Sequence, residues 1–166
     1  SHGNLRLRGK SSKGTATDYA TNYSTIQFTT ANSPVDCTGD IRTLIDYENY
    51  ADVSTAEAKF CCLFYQNTQL RTAPELPAET LAEYCYTQMF CLCSSLTTAP
   101  ELPAKTLASH CYFRMFYGCS SLTTAPKLPA KTLARYCYSQ MFYDCTSLKT
   151  APALPATTLA DVCYYG

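Results

Sequence analysis

Cysteine is the residue of this chain best able to do chemistry, with 11 copies in 166 residues. Seven fall into two series with a step of 26: Cys85, Cys111, Cys137 and Cys163, then Cys93, Cys119 and Cys145. A structural metal site wants paired thiolates at short spacing, such as C-x-x-C. That pattern occurs nowhere. The two series are eight residues apart, which on a helix is about 12 Å, too far to bond or chelate together. Free cysteine is among the most buried residue types and fits a narrow core column, so the series read as structural ladders. Disulfides between neighbouring units are the open alternative. Cys37, Cys61, Cys62 and Cys91 lie off the ladders, and Cys37 with Cys61 or Cys62 is the first pair to test. An odd total leaves at least one thiol unpaired.

The other reactive types are sparse. Histidine occurs only as His2 and His110, and His110 stands in a column held by Tyr84, Tyr136 and Val162 in the other copies. It reads as a surface substitution and not a recurring base. Glu75 and Glu101 share a column with Lys127 and Ala153, so no carboxylate pair recurs for acid and base work. No phosphate-binding glycine loop, H-E-x-x-H or G-x-S-x-G is present. The expectation is a non-enzymatic protein with no catalytic residues, no metal and no cofactor.

Thirteen Lys plus Arg balance 13 Asp plus Glu, which leaves no basic footprint for nucleic acid and no acidic tail. A 46% hydrophobic content argues for a folded chain, and no run approaches the roughly 18 apolar residues of a membrane span, so no membrane insertion is expected. Only 16% of residues are charged, while 14 Tyr, 9 Pro and 11 Cys bias the composition as internal repeats do. The chain opens Ser1-His2-Gly3, read as an expression scar or a processed start, and it stops partway through a unit.

The motif L-x-T-A-P recurs at Leu70, Leu96, Leu122 and Leu148. The full unit reads L-x-T-A-P-x-L-P-A-x-T-L-A-x-x-C-Y-x-x-M-F-x-x-C, then Ser or Thr, then Ser. Complete copies span 70–95, 96–121 and 122–147, and a partial one spans 148–166. A degenerate first turn spans 44–69: Leu63 and Phe64 fall one step before Met89 and Phe90, and Asn67 takes the place of Cys93. Two prolines three apart stop any helix from crossing A-P-x-L-P, so the first half of a unit must be extended. Leu96–Ala99 is expected to be a short strand pairing with its copy in the next unit. From Thr106 onward, Leu107, Cys111, Met115 and Cys119 recur every four residues beside Ala108, Tyr112 and Phe116, which predicts an amphipathic helix. Thr80 with Glu83, and Thr158 with Asp161, would cap it. A strand and a helix in 26 residues cannot bury their own apolar faces, but stacked copies share one core. The expected fold is an α/β repeat: a right-handed leucine-rich-repeat solenoid of strand–helix units.

The run Cys119-x-x-Leu122-x-x-Ala125-Pro126-x-Leu128-Pro129, followed by Leu133, Tyr138, Phe142 and Cys145, resembles the BspA-like leucine-rich repeats. The likeness covers about residues 60 to 166, with Ala-Pro where many members carry isoleucine. It implies a secreted or cell-surface bacterial protein that binds proteins or glycans as an adhesin. Similar repeats also occur in phage-encoded proteins.

Residues 1–43 shift to Thr, Ser, Asn and Gly, with alternating stretches at Asn4–Arg8, Thr25–Thr29 and Val35–Ile45. They are expected to form a β-rich N-terminal cap over the first unit. Columns that vary between copies are free of core duty and should point outward. One holds Arg71, Thr97, Thr123 and Lys149; a second holds Glu75, Glu101 and Lys127; a third holds Glu79, Lys105 and Lys131. Phe113, Tyr117 and Tyr143 join them as aromatics able to stack on sugars or dock a protein, or else to pack along neighbouring units. These residues are the candidate binding surface of an extracellular recognition module whose partner is a protein or a glycan. The competing reading is a structural spacer or a segment that self-associates head to tail.

Overall fold

The computed structural model describes residues 5–28 and 33–166. His2, and the ends Asn4 and Thr29 of two expected strands, lie outside the described residues.

Successive units lie in parallel, each bonded to the next through equivalent backbone positions. Strand β1, Val35–Asp36, pairs in parallel with β2, Leu70–Thr72, with Val35 opposite Leu70 and Asp36 opposite Thr72. Single parallel bridges join Asp40 to Glu75, Thr72 to Thr98, Thr80 to Thr106 and Thr132 to Thr158. The strand expected at Leu96–Ala99 is thus reduced to one bridging residue, Thr98. Two prolines per unit remove amide donors just beyond it, which leaves the extended half too few bonds to build a ladder.

The second half of each unit is not a helix. Among the described residues there is no α-helix, only 3-10 turns at Ile41–Leu44 and Tyr50–Asp52. From Ala82 to Cys93 the chain is instead a ribbon of successive β-turns. The amides of Cys85, Thr87, Met89, Cys91 and Cys93 bond carbonyls three residues back, those of Ala82, Tyr84, Tyr86, Gln88 and Phe90. The alternate amides, of Tyr84, Tyr86, Gln88, Phe90 and Leu92, reach the carbonyls of Ser109, Cys111, Phe113, Met115 and Tyr117 in the next unit. Every amide from Tyr84 to Cys93 therefore has a partner, half of them local and half between units. Tyr84, Gln88 and Leu92 are left-handed, at φ 60°, 53° and 62°, as the third residue of a type II turn must be. The threonines expected to cap helices stand where no helix begins: Thr80 bridges Thr106, and Thr158 bridges Thr132.

This ribbon satisfies the four-residue apolar step better than a helix does. At 3.6 residues per turn, Leu81, Cys85, Met89 and Cys93 would drift about 120° around a helix. A four-residue turn repeat holds them on one side, and all four are buried. The same geometry stacks like on like. Phe64, Phe90, Phe116 and Phe142 follow one another at 5.6, 5.7 and 5.8 Å between centroids. Phe60, Tyr86, Tyr112, Tyr138 and Tyr164 form a second stack at 5.7–6.1 Å.

The described residues before the first unit, 5–28 and 33–43, bond to it but do not form three strands. Leu5–Arg8 and Thr25–Phe28 are irregular, and the stretch Val35–Ile45 holds β1 followed by the 3-10 turn. Their amides are spent on the unit beneath: Thr15 bonds the Lys59 carbonyl, Ile26 that of Leu63 and Val35 that of Gln69. Ile26 thereby takes the position that Phe64 and Phe90 hold in later units.

Candidate functional site

The outward columns reach solvent. Arg71, Glu75, Glu79, Thr97, Glu101, Lys105, Thr123, Lys127, Lys131 and Lys149 are all exposed, whereas the leucines between them, Leu70, Leu76, Leu96, Leu102, Leu122 and Leu128, are buried. Charge is banded along the stack. Unit 70–95 shows Glu75, Glu79 and Glu83, and unit 122–147 shows Lys127, Lys131 and Arg135 at the same positions. Arg71 is engaged by Asp36, its Nε lying 2.8 Å from Oδ1 while a second guanidinium nitrogen meets the other carboxylate oxygen. That guanidinium holds the Asp36 carboxyl below the ordinary carboxylate range.

The candidate aromatics are split by the turn ribbon. Tyr143 is exposed, while Phe113 and Tyr117 are half-buried. Tyr117 stacks on Tyr143 at 5.0 Å, and the Arg114 guanidinium sits 5.0 Å from the Phe113 ring and 5.5 Å from the Tyr117 ring. One aromatic stack escaped the sequence reading: Tyr19, Tyr84, His110 and Tyr136, at 4.9, 4.9 and 4.7 Å. Its signal in the sequence is the column of Tyr84 and Tyr136, whose slot the His110 ring fills as a flat stacking partner. The Ser109 hydroxyl lies 2.7 Å from Nδ1 of His110, and burial lowers the imidazole pKa.

Ten of the cysteines are buried, Cys37 is half-buried, and all 11 are free thiols. Cys37 is not joined to Cys61 or Cys62, whose sulfurs contact the carbonyl oxygens of Asp18 and Tyr19. Cys93, Cys119 and Cys145 donate S–H to the carbonyls of Phe64, Phe90 and Phe116 in the preceding unit, at 3.0–3.1 Å. Asn67, in the same column, donates its amide to the Ile26 carbonyl at 3.1 Å. A donor is what the column requires, and this is why asparagine can stand for cysteine there. Burial pushes Cys91, Cys137 and Cys145 up to about 11 and Cys93 to about 12, so these thiols stay protonated and poorly nucleophilic at neutral pH. In the contacting pair Cys61 and Cys62, the shared hydrogen bond lowers the first thiol and raises the second.

No group of three His, Cys, Asp or Glu side chains suited to a metal occurs among the described residues. A shallow groove of about 460 Å³ lies where the N-terminal segment meets the first units, floored by Ala16, Ala56 and Ala82. Three of its charged groups are engaged, Lys13 with Glu57 and Lys59 with the Thr17 carbonyl at 3.1 Å beneath the Tyr84 ring, and Glu83 completes the lining. No helix among the described residues is long and apolar enough to cross a membrane. The chain matches no family model, no curated protein and no solved structure.

Proposed function

We propose that this chain is a non-enzymatic recognition segment, a leucine-rich-repeat-like solenoid of an extracellular or cell-surface protein, whose exposed columns engage a protein or glycan. The observation that carries the reading is that Leu70, Leu76, Leu96, Leu102, Leu122 and Leu128 are buried while the columns of varying charge beside them, those of Arg71, Glu75 and Glu79, are exposed. Such a division fixes a scaffold while leaving its surface free to be tuned. The charge bands add direction, because a ligand with separated acidic and basic ends meets Lys127, Lys131 and Arg135 at one level and Glu75, Glu79 and Glu83 at another. The resemblance of the repeat to BspA-like proteins supports the extracellular setting.

The test is a binding screen of the folded protein against extracellular matrix proteins and a glycan array, repeated with a Lys127→Glu, Lys131→Glu double variant. Saturable binding that weakens about tenfold or more in the variant supports the proposal. Folded protein that binds nothing above background, or binds equally in both forms, overturns it.

A further inference from the structure

Cys61 and Cys62 are adjacent cysteines that the repeat does not explain. The Cys61 column continues as Thr87, Phe113 and Ser139, and the Cys62 column as Gln88, Arg114 and Gln140, so neither thiol belongs to a ladder. The pair forms the centre of a β-turn. The Leu63 amide bonds the Phe60 carbonyl at 3.3 Å, and Cys62 is left-handed at φ 58°. Neighbouring α-carbons are about 3.8 Å apart, and here the two sulfurs also face the same way. Sγ of Cys61 lies 3.2 Å from the Asp18 carbonyl oxygen, and Sγ of Cys62 lies 3.8 Å from that of Tyr19, the next residue. Two thiols in mutual contact, turned toward consecutive carbonyls of one segment, can both bond a single small centre.

The seven ladder thiols lie in the main core, whereas Cys61 and Cys62 pack apart from it with Ala16 and Tyr65. Ala16 also floors the groove of about 460 Å³, on which Thr17 and Lys59 border, so one alanine separates the pair from that opening. The cover over the sulfurs is light. Thr17 and residues 19–24 are exposed, and their loop is closed by the Thr17 to Asn22 bond and the bridge of Ala16 to Tyr23. The hydrogen bond from Cys62, and after it the nearby Lys59, holds the Cys61 thiol below its ordinary range, the reverse of what burial does to Cys93 and Cys119. Structural zinc takes four ligands, and no third His, Cys, Asp or Glu completes a metal group among the described residues. A disulfide within the pair is strained, because bonded cysteines hold their α-carbons about 4.4–6.8 Å apart. Trivalent arsenic is pyramidal and needs only two sulfurs and one further substituent.

We propose that Cys61 and Cys62 form a dithiol site for trivalent arsenic, entered through the groove floored by Ala16. With arsenous acid, each thiol proton leaves with one hydroxide of the arsenic centre. Two As–O bonds break, two As–S bonds form and two waters depart, with one hydroxyl kept on arsenic and no change in oxidation state. The inference stands on the placement of these thiols and is independent of the outward columns.

The probe is sodium arsenite, titrated into the reduced, folded chain while amide shifts are followed by NMR. Expected is saturable one-to-one binding, with shifts concentrated at residues 16–19 and 60–65. Cys61→Ser and Cys62→Ser each remove one of two linked bonds and are expected to weaken binding about a hundredfold or more, whereas Cys37→Ser leaves it unchanged. Absence of any shift at about 1 mM arsenite overturns the proposal, as do shifts centred on the ladder thiols Cys85, Cys111 and Cys137. A folded Cys61→Ser or Cys62→Ser chain that binds as tightly as the parent also overturns it. The shifts of the unsubstituted chain decide the matter where a variant does not fold.

Discussion

The hydroxyl of Tyr86 is buried and has no hydrogen-bond partner among the described residues, and the same column opens with Phe60. An unpaired buried hydroxyl contributes nothing and costs its desolvation. Tyr86→Phe is therefore expected to leave the melting temperature unchanged or raise it, by about 0–1 kcal/mol in stability. A clear loss would mean that the phenol has a partner in solution. His110 carries a pH signature. Burial lowers its pKa from the ordinary 6.5, so the unfolded chain takes up the proton first. Stability is then full above the unfolded value and lost as pH falls through the folded one. His110→Tyr, the residue of its own column, should remove that acid-side loss, and thermal melts between about pH 5 and 8 would show it. At this scale the sequence was informative about burial. The ladder cysteines are inside and the varying charges outside, because repetition separates core duty from surface duty residue by residue. It was silent on Cys93, Cys119 and Cys145 as S–H donors, although Asn67 in their column was the available hint.

The element that replaces the expected helix rests on left-handed residues. Among the described residues, eleven other than glycine take positive φ, Val162 at 55° being one, where a branched side chain is especially crowded. Each such residue costs about 1–2 kcal/mol, offset at all of them but Asp144 and Val162 by an amide bond to the next unit. Gly118 occupies one of these positions at φ 68°, and an added Cβ would stand 2.6 Å from Cδ2 of Leu92. Gly118→Ala should destabilise by about 1–2 kcal/mol, and Val162→Gly should stabilise by a comparable amount, both measured by chemical denaturation. Both outcomes favour glycine, a preference that an α-helix does not show, since glycine within a helix costs stability at either position. The helix was misread because an i, i+4 pattern is common to helices and four-residue turn ribbons. What separates them is drift, and two adjacent columns kept in strict phase, Leu81 to Cys93 over three steps and Ala82 to Phe90 over two, argue against a period of 3.6. The strands were over-read for a related reason. Threonines favour extended chain, but the prolines that follow remove the donors a ladder needs.

Across the whole molecule, the period of 26 was the most legible feature, and the parallel bonding of equivalent positions follows it unit by unit. The degenerate first turn also follows it: Phe60, Cys62, Phe64 and Gln66 bond the next unit in the register that later units use. The N-terminal segment was legible only as a cover, because its residues match the unit in bonding position, as Ile26 does, and not in sequence. Inward and outward columns make a prediction for stability. Leu122→Asp buries an unpaired charge within the stack and should cost about 4 kcal/mol or more, whereas Lys131→Ala at an exposed position should stay within about 0.5 kcal/mol. Equal losses in urea denaturation would contradict the column assignment.

The central structural claim is that units are joined by backbone bonds running through turns and not by packed helices. Far-UV circular dichroism of the folded chain tests it most directly. The account predicts no helical double minimum at 208 and 222 nm beyond what the two short 3-10 turns supply. A strong 222 nm band, of the size expected for a helix in every unit, would contradict the turn ribbon.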